Sequence, residues 1–247
     1  MLIKTKEQLD GIRESGKVNT AVLDVVSEKI EVGMSTEEIN RIVDETTRKL
    51  GGIPAPLHYE GYPKSVCTSV NDQVCHGIPS PDVILRDGDI INVDVTTVYN
   101  GYFADASRMF LMGNVSEERK RLVETAKESI SVGLKEVLPD RRIGDMGHAI
   151  NTFARSHGYS VVAEVGGHGV GVKFHEEPFV SYVTKRGTGE YLKPGMVFTI
   201  EPMINMGKRH VVLDENDWTI WTRDGSDSAQ WEVTVAVTKD GYELLAW

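Results

Sequence analysis

Asp94 and Asp105 flank an Asn100-Gly101 pair in the stretch IINVDVTTVYNGYFADASRMF, and each carboxylate interrupts a run of β-formers. Asn-Gly between two alternating runs is the strongest short-range signal for a two-residue hairpin turn. With Asn100 and Gly101 as the turn, Tyr99 pairs with Tyr102, Val98 with Phe103, Thr96 with Asp105 and Asp94 with Ser107. Side chains alternate across a strand, so Asp94 and Asp105 share one face as diagonal neighbours, about 7–8 Å apart at the backbone. Carboxylates so spaced can converge on one cation, or on a pair roughly 3.5–4 Å apart. A lone Asp in a strand is more often a solvated or hydrogen-bonded residue on an open face. Val93, Val95, Val98 and Phe103 instead predict a sheet covered on both sides, where an unpaired carboxylate is costly.

Three further candidates follow. His168 lies in EVGGHGVG after the β-like run VVAEV, Glu201 ends the strand-like MVFTIEP, and Glu232 lies in SAQWEVTVAVT. Taken singly, a His among glycines reads as a loop residue and a Glu before Pro202 as a strand terminus. Taken together, four carboxylates and one imidazole at strand ends suit two hard or borderline divalent cations, with carboxylates able to bridge. Other motifs fail on spacing. His175-Glu176-Glu177-Pro178-Phe179 lacks the second His of a zinc-protease helix, and Pro178 opposes a helix. Gly167-His168-Gly169-Val170-Gly171 lacks both the spacing of a phosphate loop and a helical pattern after it. No G-x-S-x-G is present to seat a serine nucleophile, and the acids from Asp214 to Asp217 read as a solvated turn.

Two helix pairs and the strands that follow them must position these groups. Thr5 with Gln8, and Ser35 with Glu38, form capping boxes that open helices over about 6–31 and up to Gly51-Gly52. Ser116 with Glu117 and Glu118 opens a third helix, closed by Pro139, and a fourth runs from about Gly144 to Gly158. β-rich segments follow each helix pair. A shift of 107 residues superposes the two pairs, carrying Leu23 onto Ile130, Val43 onto Ile150, Gly51 onto Gly158 and Asp94 onto Glu201, although Val22 falls on Ser129. One fused domain over 1–247 is expected, with pseudo-repeat halves of about 1–110 and 111–247 and a single site between them.

The 247 residues carry a net charge of −10 from dispersed acids, which argues against DNA as a partner. The polar N-terminus has no apolar leader-like core and no stretch is long enough to span a bilayer, so a cytoplasmic protein without membrane contact is expected. Cys67 and Cys75 are the only cysteines, too few for a structural zinc site, and reduced thiols are the default.

The ordered segments GYPKSVCTSVNDQVCHGIP, INVDVTTVYNGYFADASRMF, GGHGVGVKFHEEP, FTIEPM and SAQWEVT resemble, over essentially the whole chain, the type I methionine aminopeptidases (peptidase family M24) in their compact bacterial-like form. The resemblance implies an α+β pita-bread fold, a pseudo-two-fold antiparallel sheet covered by two helix pairs. It implies removal of the initiator methionine from nascent proteins, with a small second residue preferred. Asp94, Asp105, His168, Glu201 and Glu232 match the family's ligands for two divalent cations, among Mn, Fe, Co or Zn. His76 and His175 match its substrate-facing histidines, and Tyr59, Tyr62, Cys67, Phe174 and Trp218 its pocket for the methionine side chain, where aromatic and soft groups suit a thioether.

In the mechanism so implied, metal-activated water attacks the Met-Xaa bond, Glu201 shuttles the proton, His175 stabilises the oxyanion and His76 holds the substrate backbone or leaving nitrogen. The N-terminal methionine of nascent chains is the expected partner, the ribosome a candidate one, and a monomer is expected. Two positions depart from the pattern. Val233 stands where many type I members have His, which bears on hydrogen bonding around Glu232, and Pro56 stands near the pocket where Cys is common. An X-Pro peptidase of the same fold and a non-catalytic pita-bread binding module are the alternatives. The first usually carries an extra N-terminal domain, for which there is no room before the first helix, and the second class loses ligands that this chain keeps.

Overall fold

A computed structural model describes residues 3–247. Helix α1 (Lys6–Lys29) begins at a reciprocal cap in which the Gln8 amide donates to Thr5 Oγ1 at 3.2 Å and the Thr5 amide to Gln8 Oε1 at 2.9 Å. Helix α2 (Thr36–Lys49) opens in the same way on Ser35 and Glu38. Helix α3 (Glu117–Leu134) starts at Ser116, whose hydroxyl accepts from the Arg119 amide. It stops well before Pro139: the Glu136 and Val137 amides bond back three residues, tightening the chain so that Val137 enters the core fully buried. Helix α4 (Ile143–Ser156) is capped by Asp145, which accepts from the Arg142 and Gly187 amides. Both ends of α4 stand 107 residues after the corresponding ends of α2 (36 to 143, 49 to 156).

The principal strands are β1 (Cys67–Val70), β2 (Ile90–Tyr99), β3 (Tyr102–Leu111), β4 (Gly167–Gly169), β5 (Glu176–Val180), β6 (Val197–Ile200), β7 (Val233–Val237) and β8 (Tyr242–Ala246). Strands β2 and β3 form the expected hairpin: Tyr99 faces Tyr102, Thr96 faces Asp105 and Asp94 faces Ser107. Asn100 and Gly101 hold φ of 50° and 82°, the left-handed pair that a type I′ turn requires. On its other edge β2 carries β1, with Cys67 opposite Asp94, and the short strand Ile53–Pro54. A second antiparallel sheet has the order β8-β7-β6-β4-β5. The two sheets meet at an antiparallel bridge between Ser107 and Glu232, whose amides donate to each other's carbonyls.

Each helix pair covers one sheet. Val22, Leu23 and Val26 of α1 and Ile39 and Val43 of α2 pack on Ile91, Val93, Val95, Ala104 and Ala106. On the other side α3 and α4 place Leu122, Ile130, Met146 and Ile150 against Phe198, Ile200 and Val235. The alternation that buries Val93 and Val95 under α1 turns Asn92, Asp94, Thr96, Asp105 and Ser107 to the opposite face. Asn19 of α1 donates to the carbonyls of Val95 and Ala104, fixing the helix on the hairpin. Gly16 lets α1 approach β8 so closely that a Cβ there would lie 1.8 Å from the Leu245 carbonyl oxygen. Among the described residues no helix is long and apolar enough to cross a membrane.

Candidate metal centre

Asp94, Asp105, His168, Glu201 and Glu232 arrive from both sheets at one cavity of about 360 Å³. One ligand atom each from Asp105, His168 and Glu232 lies within 4.8 Å of the others. His168 Nε2 stands 3.7 Å from Asp105 Oδ2 and 3.5 Å from Glu201 Oε1. Asp94 closes the group, its carboxyl within hydrogen-bonding reach of those of Glu232 and Asp105.

The orientation of His168 follows from its neighbours. Its Nδ1 lies 3.0 Å from the Gly169 carbonyl oxygen. A carbonyl only accepts, so Nδ1 carries the proton and Nε2 turns its lone pair toward the acids, the arrangement found in metal-bound imidazoles. His168 sits in the middle of a strand, not in a loop, because β4 is squeezed between β5 and β6. The flanking glycines make this approach feasible: a Cβ at Gly169 would lie 2.2 Å from the Glu177 carbonyl oxygen, and one at Gly167 2.5 Å from that of Thr199.

Burial pushes the His168 imidazole down to about 3, so it is neutral at pH 7. Burial and mutual repulsion hold Asp105 and Glu232 well above the usual carboxylate range. Burial first, then the Asp94 charge, raises Glu201 to about 8. No Lys or Arg lines the cavity among the described residues. Asp94 Oδ1 is buried with no hydrogen-bond partner. Four carboxylates in one apolar cleft cannot all ionise without added positive charge, and a neutral imidazole lone pair completes a donor set suited to divalent transition ions. The residues therefore fit a divalent metal centre.

Several groups that orient these acids were not singled out from sequence. Thr96 Oγ1 donates to Asp105 Oδ1 at 2.8 Å, Thr199 Oγ1 to Glu201 Oε1 at 2.6 Å and Gln230 Nε2 to Glu201 Oε2 at 3.1 Å. Tyr182, 1 % exposed, accepts from the Glu201 amide at 2.6 Å and also meets the Gly167 backbone. Period two along a strand could have flagged Thr199 and Gln230, each two residues before an acid. Tyr182 comes from a distant loop and leaves no such signal.

The remaining candidates line the same cavity. Tyr62 is buried and spends its hydroxyl on the carbonyls of Val66 and Gly77, so its ring alone faces Trp218, at 5.1 Å. Phe174 stacks on His175 at 4.3 Å and meets Tyr59 at 4.7 Å. Cys67 lies opposite Asp94, its thiol pushed up by burial. Burial takes His76 down to about 4. His58, Glu60, His76 and Asp217, all near this wall, adopt φ between 47° and 68°, strain of the kind that collects at functional sites. Pro56 is part of the lining. Val233 packs into the core opposite Ile200, and Glu232 is held instead by the backbone bridge to Ser107.

Residues 10–239 match the model of metallopeptidase family M24. The chain is 44 % identical over 241 residues to methionine aminopeptidase A of Synechocystis, covering 98 % of this chain and 95 % of that protein. It is 43 % identical to the Escherichia coli K12 methionine aminopeptidase, covering 98 % and 92 %. The crystal structure of the Rickettsia prowazekii methionine aminopeptidase superposes with a TM-score of 0.97 at 41 % identity, covering all of both chains. The prolidase of Pyrococcus furiosus shares the fold, with a TM-score of 0.80 at 22 % identity over 65 % of its length. On this similarity, and on a donor set suited to divalent cations, the chain belongs to metallopeptidase family M24, among its methionine aminopeptidases.

Proposed function

We propose that the protein removes the N-terminal methionine from nascent polypeptides, with two divalent cations held by Asp94, Asp105, His168, Glu201 and Glu232. The observation that carries this reading is one cavity that combines a neutral imidazole lone pair and four buried carboxylates with an apolar aromatic wall. When bound, the cations supply a water acidified toward neutrality and polarise the scissile carbonyl. Everything else falls to the chain. Tyr59, Tyr62, Cys67, Phe174 and Trp218 take up the methionine side chain, and their soft, aromatic surfaces suit a thioether. Glu201 accepts the proton of the attacking water and returns it to the leaving amine. Neutral His175 donates to the oxyanion, and neutral His76 holds the substrate backbone or the leaving nitrogen.

A substrate whose free amine must lie among carboxylates is cut only at its first residue, and a small second residue is preferred. Nascent chains present that end in the cytosol, with the ribosome as the neighbouring partner. The equal 107-residue offset at both ends of α2 and α4 supports reading 1–247 as one catalytic domain of two half-repeats, about 1–110 and 111–247.

The test is hydrolysis of Met-Ala-Ser and Ala-Pro-Ala by chelated protein reloaded singly with Mn²⁺, Fe²⁺, Co²⁺ or Zn²⁺. Cation-dependent release of methionine from the first peptide only is expected. Cleavage of Ala-Pro-Ala alone would transfer the chain to the proline-specific peptidases, and no hydrolysis with any cation would leave it a binding module.

A further inference from the structure

Tyr59 belongs to the pocket wall, yet its hydroxyl faces a histidine. The Oη atom lies 2.9 Å from His175 Nδ1. The ring is held by its edge-tilted contact with Phe174 and by a 5.2 Å approach to the His175 ring. The backbone around it is fixed by unusual means. His58 and Glu60, the residues on either side, both lie in the left-handed region, with φ of 68° and 47°. A short turn closes the segment, with the Tyr59 amide bonded to the Pro56 carbonyl and the Tyr62 amide to that of Tyr59. Strain of this kind persists only where surrounding structure imposes it, and here it directs one phenol at one imidazole nitrogen.

Which group donates follows from acid strength. A phenol is a far stronger acid than a neutral imidazole N–H, and an imidazole nitrogen a better acceptor than a phenol oxygen, so donation from the O–H to Nδ1 is the stronger of the two arrangements. Burial and the nearby Glu60 charge raise the Tyr59 pKa further, which keeps the proton on the phenol. His175 is exposed on one side, and the rings that flank it, Phe174 at 4.3 Å and His168 at 4.3 Å, make no hydrogen bond to Nδ1. With Nδ1 accepting, the single proton of the neutral ring sits on Nε2, the nitrogen left to face the cavity.

We infer that Tyr59 is a positioning residue: by donating to Nδ1 it holds His175 in the Nε2–H tautomer, the form that can donate to a developing oxyanion. This rests on the oxyanion role given to His175 above. It separates the function of Tyr59 from that of Tyr62, whose hydroxyl is taken up by backbone carbonyls and which contributes only a ring.

Long-range ¹H–¹⁵N correlation spectra of the cation-free protein at pH 7.5 test the tautomer without any variant. His175 protonated at Nε2 is expected, and protonation at Nδ1 would overturn the assignment of Tyr59. Tyr59→Phe keeps the ring but loses the donor. Its spectrum is expected to show a mixture of tautomers, and the reloaded variant a kcat lowered about tenfold, the scale of one hydrogen bond, with KM for Met-Ala-Ser unchanged. In a His175→Ala background the same substitution should cost no further activity, because Tyr59 then has nothing to orient. An equal loss in both backgrounds would show that Tyr59 acts on substrate directly and would sink the inference. Full turnover by His175→Ala alone would remove the oxyanion role itself, a failure separate from a wrong tautomer.

Discussion

Replacing Glu201 by Gln should stabilise the cation-free protein at high pH while abolishing most of its stabilisation by cations. Glu201 is 7 % exposed, and its folded pKa is raised from 4.5 to about 8, by burial first and then by the Asp94 charge. A carboxyl with a raised folded pKa contributes stability while protonated. That contribution is complete below about 4.5 and is lost as pH rises through about 8. At about 1.4 kcal/mol per unit, the alkaline limit amounts to roughly 5 kcal/mol. Proton uptake by Asp94 or Glu232 can answer the ionisation of Glu201, so only a part of this, on the order of 2 kcal/mol, follows Glu201 itself. Gln removes the charge at nearly constant shape. Its new NH₂ group would oppose the Gln230 NH₂, but Gln230 Oε1 is buried without a partner, so a flip of the Gln230 amide restores the bond.

Two kcal/mol in a chain of this length shifts the melting temperature by about 4–8 °C. Calorimetry in chelator should therefore find the variant higher by that amount at pH 8.5 and equal to the parent at pH 5. In excess Mn²⁺ the order should reverse, because the parent gains about 4 kcal/mol at a thousandfold excess over Kd and the variant loses a ligand. A variant less stable than the parent in chelator at pH 8.5, with an undiminished response to Mn²⁺, would refute the view that these acids repel one another until cations arrive.

Other perturbations separate the parts of the molecule. His175→Ala should bind cations normally yet lose kcat by roughly 10²–10³, the scale of one oxyanion donor, as judged by titration and steady-state kinetics side by side. Gly169→Ala forces a Cβ against the Glu177 carbonyl and should displace β4, lowering cation affinity about 10–100-fold by isothermal titration. Gly16→Ala, far from the cavity, drives a methyl into the Leu245 carbonyl and should cost about 3 kcal/mol in urea denaturation while leaving kcat of the surviving folded protein intact.

The parts of this architecture legible in the sequence are those set by neighbours along the chain. The β2-β3 register could be read residue by residue, because Asn100-Gly101 fixes a turn and a turn fixes every pair beyond it. Helix starts were legible for the same reason, since Thr5-Gln8 and Ser35-Glu38 satisfy their own amides. The end of α3 was not, because the pull of Val137 into the core is a tertiary effect that overrides the wait for Pro139. His168 among glycines resembles a loop until the carbonyls of Glu177 and Thr199 are seen to press on β4 from either side. Tyr182 stayed hidden because its link to Glu201 spans 19 residues without periodicity.

The bridge between Ser107 and Glu232 has a bearing on how the molecule is made. The acids and imidazole of the cleft are drawn from positions 94, 105, 168, 201 and 232, so the set is complete only when one stretch of more than half the polypeptide, from 94 to 232, has collapsed into place. No shorter fragment can assemble the donor set. Uptake of a cation thus works as an inspection of the finished product: a chain that misfolds anywhere between the first hairpin and the final sheet is barred from chemistry as well as from stability.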